Sequence, residues 1–173
     1  MSGSNAAFML NETRVSESKG VQLVYGDLSQ YSPEFKVAVG LLDIKSNEKA
    51  LHYFQLAYEA VNQNDIYHNK YASYCGLIRL INGDRGGLDL CREVSRSELH
   101  DGDVFFNLAR AEWHFNNRKK TIRALEKGLE IDGAHPGIIN MRIDLGVRKR
   151  AVLPMLSRNH VINNSLGKLL RKQ

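Results

Sequence analysis

The sequence has few of the features that mark membrane, secreted or disulfide-stabilised proteins. Its 173 residues include two cysteines, Cys75 and Cys91, which are too few for a disulfide framework or a four-ligand zinc site. No uncharged apolar run approaches the roughly 18 residues of a membrane-spanning helix. The N-terminal residues lack the basic start and apolar core of a secretory signal. We therefore expect a protein of a reducing, cytoplasmic setting.

The sequence also lacks the patterns that carry catalytic or cofactor chemistry. The glycine-rich segment 83–87 is not followed by Lys-Ser or Lys-Thr, and it lies between two expected helices, where a tight turn needs flexible backbone. The six histidines show no His-Glu-x-x-His spacing. Segment 100–103 could touch a cation, but a helix N-cap explains it without an ion. Cys75 and Cys91 are expected to be buried and inert. We expect no enzyme activity, no cofactor and no metal site.

What the chain does contain is an ordinary globular mixture with unevenly placed charge. Apolar residues make up 43% and charged residues 25%, which suits one compact domain or a short repeat array. The net charge is +5, yet residues 136–173 hold eight basic residues against Asp144 alone. The basic residues of the tail proper are Arg148, Lys149, Arg150, Arg158, Lys168, Arg171 and Lys172. Such charge influences association more than it influences fold.

Apolar residues spaced three or four apart on both sides of a polar turn predict pairs of amphipathic helices. The clearest pair spans 102–135, with the polar turn at Asn116 and Asn117. The same pattern recurs over 31–64 and, more weakly, over 69–101. The sequence therefore predicts three successive helical pairs of nearly constant length.

This spacing resembles the tetratricopeptide repeat (TPR), a helix–turn–helix unit of about 34 residues. The residues that carry the resemblance are Ala50, Phe54 and Ala57 in the first unit, Cys75 and Gly76 in the second, and Leu108, Ala109, Leu125 and 129–132 in the third. The sequence departs from the pattern at Arg79, Gly87 and Glu112. The resemblance implies an all-α, right-handed superhelical stack of about three units. An unrelated helical bundle is the alternative.

The resemblance also implies a division of the chain. Residues 1–30 form an N-terminal segment that is expected to be mostly disordered or extended, and residues 31–135 hold the repeats as 31–64, 69–101 and 102–135. A capping helix over 136–146 begins at Pro136, a residue suited to the first helical turn. This helix covers the last apolar interface of the stack. The basic tail follows over 147–173.

In the TPR family, the first helix of each unit lines a concave groove that binds a partner polypeptide. The residues that the resemblance places there are Phe35, Val39, Leu42, Lys70, Ser73, Leu77, Leu80, Asp103, Phe106, Arg110, Trp113 and His114. Trp and Arg are enriched among interface hot spots. The resemblance thus implies a non-catalytic scaffold or adaptor. A position in the core is the alternative for Phe35, Leu77 and Leu80.

Other partners stay open at this stage. Segments 21–25 and 152–156 are apolar enough to fill the groove from within, and self-association would also cover it. The basic tail suits an acidic protein, an anionic membrane surface or nucleic-acid phosphates. A small TPR-type chaperone is a further alternative.

Overall fold

The structure is a computed structural model that describes residues 28–147. After a short 3-10 turn at Leu28–Gln30, this part of the chain consists of α-helices joined by turns and contains no strand, which confirms the all-α prediction for these residues. The helices are α1 (Pro33–Asp43), α2 (Asn47–Glu59), α3 (His68–Ile81), α4 (Gly86–Ser97), α5 (Gly102–His114), α6 (Arg118–Ile131) and α7 (Pro136–Asp144). Residues 28–142 form one compact unit, and residues 143–147 belong to a second.

The helix pairs lie close to the predicted repeat ranges. The α1–α2 pair lies inside 31–64 and the α5–α6 pair inside 102–135, whereas α3 begins at His68, one residue before the predicted start. Helix α7 begins at Pro136, as expected from the sequence. The turn at Leu28–Gln30 belongs to the segment that we expected to be disordered or extended. The rest of that segment, and the tail from residue 148, lie outside the described residues.

Successive helices pack on one another along the chain. Each helix from α1 to α5 contacts the next, and α3 also packs directly on α5. Helices α1 and α3 meet through aromatic rings, since the centroids of Phe35 and Tyr71 lie 4.7 Å apart. The first helix of each pair therefore touches the first helix of the following pair.

The same turn ends the first helix of all three pairs. Lys45, Gly83 and Asn116 occupy the left-handed backbone region, with φ of 59°, 97° and 58°. In each turn the next amide bonds back to a carbonyl in the last helical turn, as in a Schellman motif. The three bonds run from Ser46 to Leu41, from Asp84 to Arg79, and from Asn117 to Glu112. The three turns share one geometry, and their left-handed residues lie 38 and 33 residues apart along the chain.

Glycine residues lie at two points where helices approach closely. A Cβ atom at Gly87 would collide with the backbone carbonyl oxygen of Gly76, so α3 and α4 cross here at backbone contact. Gly87 is one of the residues that depart from the repeat pattern, and this close approach explains it. A Cβ atom at Gly128 would collide with Ile138 and lie 3.2 Å from Cβ of Phe105, so α5, α6 and α7 come close together here.

Candidate functional site

The apolar residues predicted to line the groove of the first unit lie in the core. Phe35 and Val39 are each 1% exposed and pack with Phe54, Tyr71 and other residues of α1, α2 and α3. Leu42, also predicted for the groove, is half-buried at the edge of the same cluster. The rotation of α1 therefore turns Phe35 and Val39 towards neighbouring helices and away from any open surface.

Leu77 and Leu80 of the second unit are also core residues. Their exposures are 0% and 2%, and they cluster with Leu88 and Cys91 of α4 and Ala111 of α5. These two leucines join the second helix pair to the third. The sequence left open a core position for Phe35, Leu77 and Leu80 as the alternative to the groove. In this structure all three residues lie in the core.

Lys70 is the centre of a buried charge network. Its ammonium group lies 2.9 Å from Asp101, 2.8 Å from Asp103 and 3.0 Å from the hydroxyl of Tyr31. Burial by itself would lower the pKa of Lys70, but the charges of Asp103 and Asp101 outweigh it and hold that pKa above its ordinary value. Lys70 was predicted to face the groove. In the structure its ammonium group instead forms ion pairs between helix α3 and the start of helix α5.

His135 extends this network to the start of α7. Its Nε2 atom lies 2.9 Å from Asp103, and its Nδ1 atom accepts a hydrogen bond of 3.2 Å from the amide of Ile138. The sequence analysis did not single out His135. A polar residue directly before Pro136, the first residue of α7, is the signal that could have found it, because that position is an N-cap.

The two aspartates of the network differ in their electrostatics. Burial would raise the pKa of Asp103, but the hydrogen bond with His135 and the charge of Lys70 lower it below its ordinary value. Burial raises the pKa of Asp101, and Lys70 offsets this only in part. Asp101 also caps α5 by accepting a bond from the amide of Asp103. Segment 100–103 thus acts as a helix cap, which is one of the two roles that the sequence allowed.

A second ion pair ties α4 to α5. Arg92 donates two hydrogen bonds to the carboxylate of Glu112, at 2.7 and 3.1 Å, and Asn117 donates a third at 2.8 Å. The Glu112 side chain is 3% exposed. Burial would raise the pKa of Glu112, but these hydrogen bonds lower it. Glu112, one of the residues at which the sequence departs from the TPR pattern, forms this buried ion pair in the structure.

The exposed part of the predicted groove lies along α5. Phe106 is buried, Arg110 and Trp113 are half-buried, and His114 is exposed. The guanidinium carbon of Arg110 lies 5.6 Å from the ring centroid of Phe106, which places Arg110 over that ring. We name Phe106, Arg110, Trp113 and His114 the α5 surface. It combines a cation, an indole and an imidazole on one helix.

The chemistry available elsewhere in residues 28–147 is limited. Cys75 and Cys91 are free and buried, and burial raises the pKa of each thiol to about 12, which disfavours the reactive thiolate. Across these described residues, no three His, Cys, Asp or Glu side chains are arranged to hold a metal ion. None of the helices described is both long and apolar enough to cross a membrane.

The seven basic tail residues singled out in the sequence, from Arg148 to Lys172, lie outside the described residues, as do segments 21–25 and 152–156.

No protein-family model matches the chain, and no curated protein and no solved structure shows significant similarity to it. The resemblance to the TPR family accordingly depends on the residues and on the repeated turn geometry described above.

Proposed function

We propose that this protein is a non-catalytic interaction module of TPR-like architecture that binds a partner polypeptide. The repeated turn at Lys45, Gly83 and Asn116 supports a stack of equivalent units. So does the direct packing of α3 on α5, the first helices of successive pairs. A stack of this kind presents one helix of each unit along a shared face, and such faces bind extended partners.

The observation that carries this proposal is the composition and exposure of the α5 surface. Arg110 and Trp113 are half-buried neighbours on one helix, and His114 beside them is exposed. Half-buried Trp and Arg can lose their remaining solvent contact on binding, and these residue types dominate the energetics of many interfaces. The apolar residues of α1 and α3 that were predicted for the groove are mostly buried in the core, which leaves recognition to α5.

The binding chemistry follows from the side chains. The indole of Trp113 offers a flat apolar area against which an aliphatic or aromatic partner side chain can pack. The guanidinium of Arg110 can donate hydrogen bonds to a carboxylate or a main-chain carbonyl of the same segment. The preferred partner is therefore a segment with an apolar anchor beside an oxygen acceptor.

The test is a double variant, Arg110→Ala with Trp113→Ala, in an affinity capture from the native host. We expect unchanged helical content by circular dichroism and loss of the captured partner. A matched control is Arg96→Ala with Leu99→Ala, which removes an exposed arginine and an exposed apolar residue near the end of α4. Trp113 is the one tryptophan of the chain. Its fluorescence in the natural protein therefore reports binding of the purified partner directly. Capture that survives in the double variant contradicts the proposal.

A further inference from the structure

His135 caps helix α7 through a nitrogen that must be unprotonated. It occupies the position before Pro136, and its Nδ1 atom accepts the hydrogen bond from the amide of Ile138. Its Nε2 atom must then carry the ring proton and donate to Asp103. This arrangement fits the neutral imidazole alone, since the protonated ring has hydrogen on both nitrogens.

The start of α7 covers part of the α5 surface. A Cβ atom at Gly137 would lie 2.7 Å from the ring of Phe106, so the backbone of α7 rests on that ring. The His135 ring lies 5.3 Å from the Phe106 ring, centroid to centroid. Ile138 anchors the same helical turn against Gly128 of α6. Phe106 is therefore kept from solvent by the turn that His135 caps, while Arg110 and Trp113 remain half-exposed.

Acidic groups outnumber basic groups around His135. Asp103 of α5 faces the ring directly, and Asp132, at the end of α6, lies beside Gly102 next to the ring. Lys70 of α3 and Asp101 lie one contact further away, through Asp103. With His135 neutral, these four groups carry two more negative charges than positive ones. A proton on His135 reduces that imbalance, and it removes the acceptor that holds the amide of Ile138.

We propose that His135 is a pH-sensitive latch, which in its neutral form holds the first turn of α7 over Phe106 and on protonation releases that turn. Release would uncover the Phe106 ring beside Arg110 and enlarge the apolar part of the α5 surface. The latch thereby regulates access to this surface, and its link to partner binding rests on the proposed function. The conformational step itself requires no partner.

The experiment is amide hydrogen exchange of the full-length protein at pH 8 and at pH 5.5, corrected for intrinsic exchange rates. We expect the protection of the Ile138 amide to fall at least about fivefold at the lower pH, since losing an N-cap bond costs about 1 kcal/mol. The amides of α5 should keep their protection. Solvent paramagnetic relaxation at the Phe106 ring protons should rise over the same pH range.

The decisive variant is His135→Asn. Asparagine is a strong N-cap residue that does not titrate, so the protection of Ile138 should become independent of pH. His135→Ser tests the same point if the asparagine variant is poorly folded. His52→Asn, which removes an exposed histidine of α2, should keep the pH response of the natural protein. Protection that stays constant in the natural protein, or that falls equally in both His135 variants, would overturn the latch.

The outcome separates the latch from the proposed function. Exchange and relaxation are measured without a partner, so a failed latch leaves the capture experiment on Arg110 and Trp113 unaffected. If the latch operates but the Arg110/Trp113 variant still captures its partner, the proposed function is wrong. Uncovering the Phe106 ring then does not regulate partner binding at the α5 surface. If both hold, partner affinity should be higher at pH 5.5 in the natural protein than in His135→Asn.

Discussion

The interface between the first and second helix pairs differs in chemistry from the interface between the second and third. The first is aromatic: Phe35 stacks on Tyr71 at 4.7 Å and meets Phe54 and Tyr74 edge-on at 5.4 and 5.2 Å. Tyr74 in turn stacks on Phe54. These contacts bury large apolar area and impose few directional constraints.

The second interface combines aliphatic packing with directional polar bonds. Leu77 packs in the middle, Lys70 and Asp103 pair on one side, and Arg92 and Glu112 pair on another. Buried ion pairs add little net stability, because desolvation offsets their attraction, but a broken pair is costly. The comparison suggests that the first interface supplies stability, and that the second fixes the position of α5, which carries the proposed binding surface.

The largest expected effect is at the aromatic interface. Phe35→Ala should lower the free energy of unfolding by about 4 kcal/mol, because it leaves a cavity among four other aromatic rings. The measurement is urea denaturation followed by circular dichroism at low and at high salt, and the loss should be the same at both. Val37→Ala, on the same helix but 45% exposed, is the control and should cost far less. A loss at Phe35 no larger than this control would contradict the comparison.

The charge network should show the next largest effect. Lys70→Met keeps most of the side-chain volume but leaves Asp101 and Asp103 without their buried counterion. We expect a loss of about 3 kcal/mol, as for other buried ion pairs from which one partner is removed. Lys49→Met, at an exposed position of α2, should have little effect and serves as the control.

The double variant Lys70→Met with Asp103→Asn sharpens this test. Because it removes charge from both sides of the pair, it should recover part of the stability lost in Lys70→Met. The single variant Asp103→Asn is measured alongside. If the stability losses of the two single variants simply add in the double variant, the two side chains do not interact.

Sequence reasoning succeeded where the determinants were local. Helix pairs follow from apolar spacing, a helix cap within 100–103 from its residue types, and the start of α7 from Pro136. The sequence alone marked Glu112 and Arg79 as departures from the repeat pattern. It did not predict the residues with which they pair. Glu112 pairs with Arg92, twenty residues away, and such a partner depends on how two helices are packed. Arg79 pairs with Asp84 in the following turn.

The groove prediction shows a second limit. Successive residues of a helix point about 100° apart, so a small error in helix rotation exchanges core positions for surface positions. Leu77 was placed on the groove side and lies in the core. Arg110 and Trp113 keep partial exposure although α5, like α3, packs on both the preceding and the following helix. Apolar character alone does not distinguish these two environments.

The smallest expected effect concerns Glu112 and depends on pH. The folded-state pKa of Glu112 is lowered, so its stabilisation is present above the unfolded-state pKa of about 4.3 and is lost as the pH falls through the folded-state value. Glu112→Gln should therefore lower the free energy of unfolding by about 2 kcal/mol at pH 7, as for hydrogen bonds to a charged group. This difference from the natural protein should shrink steadily as acid is added.

Asp84→Asn is the matched control, because Asp84 also pairs with an arginine and has a lowered pKa, but both partners are substantially exposed, at 37% for Arg79 and 50% for Asp84. Water competes for an exposed pair, so Asp84→Asn should change stability less than Glu112→Gln at pH 7. Urea titrations of both variants at several pH values between 3 and 7 would measure the two effects together. Equal effects would mean that burial adds nothing to the Arg92–Glu112 pair, and that the polar bonds of the second interface do not hold α5 in place.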